Sequence, residues 1–275
     1  MARSRTSRFD ESFSPSVRRH VTLLTVARTI ANASYRFAPP FLATIARGFH
    51  MSISQMGVAL TISELTGLAS PIVGRRVDAM ARRQALRLGL VGVGVGAIIA
   101  ASSANLAMFT VGIIVLQGSK VAYDVALGAW IADHVPWHKR SAVVGFTETS
   151  WALGMLVGVS VLGLITAALN WRFAYATGAS LVLVIAWVVS NRLPVNDDVA
   201  HHHEEEVGGE HGVLQRGAWL AIASCFTLMG AIQCIFVTFG PWLDDRFGFP
   251  NAAIAAVGFG LGFVELTAST SSSRF

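Results

Sequence analysis

Arg28, Asn32, Tyr35 and Arg36 recur at i, i+4, i+7 and i+8, so in a helix they share one face. Gln117, Lys120 and Asp124, at i, i+3 and i+7, do the same further along the chain. Glu64, Glu148 and Glu265 each stand inside another apolar run. In hydrocarbon such groups can pair with one another, recognise a polar solute, or bind and release a proton, because protonation neutralises an intramembrane carboxylate. They cannot face lipid: even insertion scales charge about 2.5–3.5 kcal/mol for one charged group at the centre of a span. The stripe on the first helix therefore turns toward the bundle interior or a water-filled cavity, and a buried ion-pair network that only fixes packing is the plainer alternative. Asp124 has two possible partners, Lys120 one turn away and Arg28 at similar depth.

The surroundings identify the solvent. Of 275 residues 53% are hydrophobic and 13% charged, against about 25% charged in soluble domains, and the mean hydropathy is +0.56. The pI of 9.9 does not point to nucleic acid, because the basic residues fall in the gaps between apolar runs rather than along one face. A span needs about 20 apolar residues, and eight stretches supply them: 20–46, 52–73, 85–104, 107–131, 143–166, 173–191, 218–242 and 253–272. No run of alternating, barrel-length strands occurs. The fold class is all-α, a polytopic membrane helical bundle in contact with the lipid bilayer.

With the N-terminus inside, fifteen Lys and Arg residues fall on the inner side and only Arg47, Arg172 and Arg246 on the outer. The positive-inside rule then makes the N-terminus cytoplasmic, as in a multi-pass plasma-membrane protein. Residues 1–19 read as a cytoplasmic tail ahead of an uncleaved first helix. Pro39 and Pro40 predict a kink or a stop near that helix's outer end. Trp137, Trp171, Trp219 and Trp242 fall near predicted helix ends, as interfacial anchors do. Gly89, Gly92, Gly94 and Gly96 predict close helix packing.

Gly74, Asp78, Arg82 and Arg83 lie in a basic hairpin and fit the skeleton G-x-x-x-D-x-x-x-R-R. This resembles the loop between helices two and three of the major facilitator superfamily of secondary transporters, with Arg76 at a usually hydrophobic position and Ala81 in place of a glycine. A plain positive-inside loop accounts for the arginines but not for Gly74 and Asp78 at that spacing. Leu116-Gln117-Gly118 resembles part of the family's R-x-x-Q-G motif, with Ile114 at the arginine position. Any coupling role of that arginine would fall here to Lys120 or another group. DHVPWHKRSA at 133–142 resembles the family's basic turn between helices four and five. GMLVGVSVLG at 154–163 resembles its antiporter motif, with Val159 and Leu162 departing from it, and slightly favours export. The resemblance implies two bundles rocking about a midplane site that takes a small-molecule substrate and protons. It also implies an inner-side latch in which Asp78, Arg82 and Arg83 pair with neighbouring helix ends.

The segment from Asn191 to Gly217 is polar and divides the chain. His201, His202, His203 and His211 among its glutamates could bind a divalent ion, but a solvated linker is favoured and no metal site is assigned. Beyond it the sequence repeats at an offset of 201 residues: Asn32, Tyr35, Pro40, Gly57, Glu64, Leu65 and Thr66 match Gln233, Phe236, Pro241, Gly258, Glu265, Leu266 and Thr267. Parallel repeats about an axis along the membrane normal are how the superfamily's halves are related. The domains read as 1–19 tail, 20–191 six-helix bundle, 192–217 cytoplasmic linker and 218–275 the first two helices of a second bundle. By the same offset Phe275 falls on Gly74, so the alternative to transport is a non-transporting fragment or partner-binding subunit. Cys225 and Cys234 are nine residues apart on one helix, about 13 Å of rise, too far for a disulfide, and read as buried thiols. No zinc, serine-elbow or phosphate-loop motif occurs, so neither enzyme activity nor a cofactor is expected.

Overall fold

The computed structural model describes residues 14–194 and 216–272 and is helical throughout them, without strands. In chain order come α1 (Pro15–Tyr35), α2 (Leu42–Gly48), α3 (Ile53–Glu64), α4 (Ser70–Asp78), α5 (Arg82–Ala101) and α6 (Leu106–His134). They are followed by α7 (Trp137–Leu153), α8 (Ser160–Ala168), α9 (Trp171–Arg192), α10 (Arg216–Phe247) and α11 (Asn251–Ser272). A 3-10 segment, Leu65–Ala69, joins α3 to α4, and a π turn, Gly154–Val159, joins α7 to α8. Among the described residues, seven helical units are long and apolar enough to cross a membrane, counting α3–α4 and α7–α8 as one each. The eighth expected span is α1. Its 21 residues rise about 31 Å, but Arg28, Asn32 and the arginines at its start make it too polar to count, and it lies inside the bundle.

The first stretch is not one helix from 20 to 46. α1 ends at Tyr35, residues 36–41 turn, and α2 begins at Leu42. Two consecutive prolines explain the stop, since neither offers an N–H and each bars helical backbone before it. Pro71 similarly removes a donor near the start of α4, just after the stretch of 3-10 winding. Ser52 and Gln55 form a reciprocal capping box that starts α3 cleanly.

The glycines of α5 behave as expected. A Cβ at Gly92 would run into Ser119, and one at Gly96 into the α6 backbone at Leu116, so these two helices touch nearly backbone to backbone. Gly154 and Gly158 do the same for α1, lying against Asn32 and Ala33. Two readings are overturned. Trp171 is buried, packed on Phe49, Phe109 and Tyr175, because the loop carrying Phe49 folds over it; it is a core residue rather than an interfacial anchor. Cys225 and Cys234 are exposed, because α10 packs on the other helices only from about Gln233 onward. The histidine-rich stretch around His201–His203 and His211 lies outside the described residues.

Candidate functional site

α1 carries the site, and its polar face meets α6 and α7. Arg28 is buried, and its Nε donates to Asp124 Oδ1 at 3.0 Å while Nη1 donates to Glu148 Oε1 at 2.7 Å and to the Thr147 carbonyl at 3.2 Å. Lys120, also buried, donates to the other Asp124 oxygen at 2.5 Å. Asp124 thus takes both of its possible partners, one through each oxygen. The Tyr123 hydroxyl donates to the Leu24 carbonyl at 2.8 Å and pins α6 to α1. Asn32 is fully buried, donates to Ser150 Oγ at 3.2 Å and lies beside Gly154, within the packed seam of α1 and α7.

One to two turns further along α1 the contacts change partner. Arg36 Nη1 donates to both Glu265 oxygens on α11, at 3.2 and 3.1 Å, and to the Trp151 carbonyl at 2.9 Å. Glu64, at the end of α3, accepts from Tyr35 at 3.4 Å, Gln117 at 3.1 Å and Gln233 of α10 at 3.4 Å. The repeat therefore crosses over: α1 reaches the offset counterpart of Glu64, and α10 reaches Glu64 itself through the counterpart of Asn32.

All ten polar residues singled out in the spans fall in this one region. The aromatic at its centre was missed. The Trp151 ring has the Arg28 and Arg36 guanidinium carbons at 5.8 and 5.6 Å from its centroid and Lys120 Nζ at 5.1 Å, with Tyr35 edge-on at 5.9 Å. The Phe236 ring also meets Arg36, its centroid 4.8 Å from the guanidinium carbon. A ring quadrupole draws cations at such distances, so Trp151 holds three of them at a place where water would otherwise compete. The available signal was its i, i+3 spacing from Glu148, which puts both on one face.

At the Arg82 end of the bundle, Arg82 Nε donates to Asp133 Oδ2 on α6 at 2.7 Å, and its Nη1 to Asp78 Oδ1 at 3.3 Å. Arg83 donates to the Ser190 carbonyl of α9. The hairpin arginines thus tie two helix ends. Gly74 belongs to the same hairpin, but a Cβ there would meet nothing within 4 Å, so packing does not call for glycine at this position. At the opposite end Arg47 pairs with Asp244, and Thr44 donates to Asn251 at 2.6 Å. There Gly240 of α10 presses on the Pro40 backbone so closely that no Cβ would fit.

A family model described as Major Facilitator Superfamily matches residues 24–273. The chain belongs to this family and is a multi-pass membrane protein of its fold. Among curated relatives, it is 29% identical over 184 residues to the uncharacterized transporter YgaY of Escherichia coli O157:H7, covering 66% of this chain and 46% of that one. It is 24% identical over 229 residues to Multidrug resistance protein 2 of Bacillus subtilis (strain 168), covering 79% and 56%. The chain spans about half the length of these curated relatives. In fold it resembles a bacterial homolog of the human lysosomal transporter Spinster, solved inward-facing and unoccupied. The TM-score is 0.67 at 14% identity, over 91% of this chain and 60% of that structure.

Proposed function

We propose that the protein acts in membrane transport of a small polar or charged solute by alternating access, coupled to protons and directed outward. The observation that carries this reading is the crossing at the site, where Arg36 meets Glu265 and Gln233 meets Glu64. These bonds, which would have to break for two repeat-related units to move apart, line the candidate site, while Arg47–Asp244, Thr44–Asn251 and Ser160–Ala255 bridge the same units outside it. Protonating Glu265 would release Arg36, and protonating Glu64 would weaken three hydrogen bonds at once. The other candidates divide the work: Glu148 and Asp124 hold Arg28 and Lys120, while Tyr35, Gln117 and Arg36 offer polar atoms to a solute. Export is supported by the 154–163 motif and by likeness to a relative named for multidrug resistance.

In this reading residues 20–191 form one six-helix bundle, 192–217 the cytoplasmic linker and 218–275 the start of the second bundle, in the plasma membrane with the N-terminus inside. The Arg47 end is then the outer one, closed by the Arg47–Asp244 pair and by Gly240 against Pro40. Arg82 and Arg83, with Asp78, serve as the inner latch. The test is uptake of a solute panel into inverted vesicles carrying the protein, with and without a proton gradient. Gradient-driven accumulation that Arg36→Ala abolishes is expected. Absence of accumulation by folded, inserted protein would overturn transport by this chain, and accumulation indifferent to the gradient would overturn the coupling.

A further inference from the structure

On the flank of the bundle at the Arg82 end lies a cleft that the site does not use. α4 and the start of α5 form its walls and α6 its floor, with Val73, Met80 and Leu88 above Ser119. It encloses about 300 Å³, and an adjoining recess of about 450 Å³ shares Ile72, Arg76 and Met80 with it and adds Arg75. From Arg82 to Gly89, which also lines the cleft, α5 rises about 10 Å, so the trough runs from the charged end into the depth of the span. Ile72 and Leu88 stand on its rim, 65% and 46% exposed. At its mouth Arg75 and Arg76 are both exposed, and neither has an ion-pair or hydrogen-bond partner among the described residues. Two free guanidinium groups therefore sit over an open apolar trough, in a chain whose solvent at that depth is lipid.

We propose that this cleft seats one anionic phospholipid of the surrounding leaflet, its phosphate against Arg75 and Arg76 and an acyl chain along Val73 and Leu88. A free anion would have no use for the trough, and a neutral chain none for the arginines; an anionic lipid satisfies both. Guanidinium groups bind phosphate oxygens in pairs, and a juxtamembrane arginine adds a factor of about five to anionic-lipid affinity. The inference does not depend on transport, only on the chain lying in a bilayer.

The test is native mass spectrometry of the purified chain exchanged against nanodiscs of phosphatidylglycerol or phosphatidylcholine. One tightly held phosphatidylglycerol is expected, preferred over phosphatidylcholine by roughly twentyfold for two arginines. R75Q/R76Q should lose that preference and R75K/R76K should keep most of it. V73W, which fills the trough without touching charge, should weaken both lipids alike. Equal retention of the two lipids by the wild type, or R75Q/R76Q binding phosphatidylglycerol as before, would overturn the proposal. So would a lipid-free dimer in which the cleft is covered by a second copy, or displacement of the adduct by inorganic phosphate alone. Circular dichroism on each variant, read alongside the lysine pair, separates lost binding from lost fold.

Discussion

Arg28 and Arg36 stand two turns apart on one face of α1, about 12 Å by rise, and have the same side chain, yet they hold different things. Arg28 is locked inside a set formed by α1, α6 and α7: its partners Asp124 and Glu148 lie on two helices that both pack on α1. Arg36 reaches across to α11, and its one carboxylate partner, Glu265, is 40% exposed. Glu148 is as open at 47%, and what sets Arg28 apart is its second partner Asp124, 29% exposed and shared with buried Lys120. A charge held within a packed unit is part of what makes that unit rigid. A charge held by one well-exposed carboxylate is more loosely bound, since solvent can replace that partner at small cost. Similar chemistry thus serves as fixture at one level of the helix and as fastening at the next.

The sharpest way to break this comparison is Asp124→Ala, which leaves Arg28 and Lys120 buried with one shared anion gone. Loss of about 3–5 kcal/mol in unfolding free energy is expected, measured by denaturant titration in mixed micelles; a change under about 1 kcal/mol would mean the Arg28 cluster is solvated after all. Next comes Gly158→Val, which forces side-chain atoms into Ala33 and should cost about 1–3 kcal/mol by overpacking α1 against the π turn. Glu265→Gln is expected to cost no more than about 1 kcal/mol of stability, since that carboxylate is well exposed, while abolishing gradient-driven transport in the vesicle assay. A large stability loss with intact transport would reverse the roles assigned to the two arginines. Smallest is Arg47→Gln, which removes an exposed pair worth under about 1 kcal/mol. Its expected readout is increased labelling, from the Arg47 end, of a cysteine placed at Thr44.

Spacing brought Arg28, Lys120 and Asp124 within reach of one another and left open which pair would form; Glu148 joined them only in the fold. Residues four and eight apart on α1, and three and seven apart on α6, were bound to lie on faces, and charge inside hydrocarbon left those faces nowhere to go but toward each other. The offset repeat likewise paired Glu64 with Glu265 before any coordinates did. What spacing could not reveal is which faces meet across a long separation. Glu265 pairs with Arg36 rather than with its own neighbours because α11 packs on the π turn and on α8, a choice made by glycines and small residues whose contacts depend on three-dimensional fit. Trp151 escaped because tryptophan in a membrane chain is first sought at span ends. Trp171 was misplaced for the converse reason, since its position at a helix start matched the rule while Phe49 and Phe109 buried it. The thiols of α10 were misread because an apolar helix shows from sequence that it avoids water, but not whether protein or lipid covers it.

The π turn at Gly154–Val159 gives the fifth span two bearings on a single shaft. A turn of that kind holds one residue more than an α-helical turn, and each residue in an α-helix accounts for about 100° of rotation. Below it α7 aims Glu148 and Trp151 at the arginines of α1; above it α8 aims Ser160 at the Ala255 carbonyl of α11, at 3.3 Å. No straight α-helix of this sequence could keep both headings at once. Winding the same residues as uninterrupted α-helix would swing one heading off by more than a quarter circle. Excising a single residue between Gly154 and Val159 would instead let the α-helix run through with both headings kept, so the azimuth of the span is set by how one surplus residue is absorbed rather than by its chemistry.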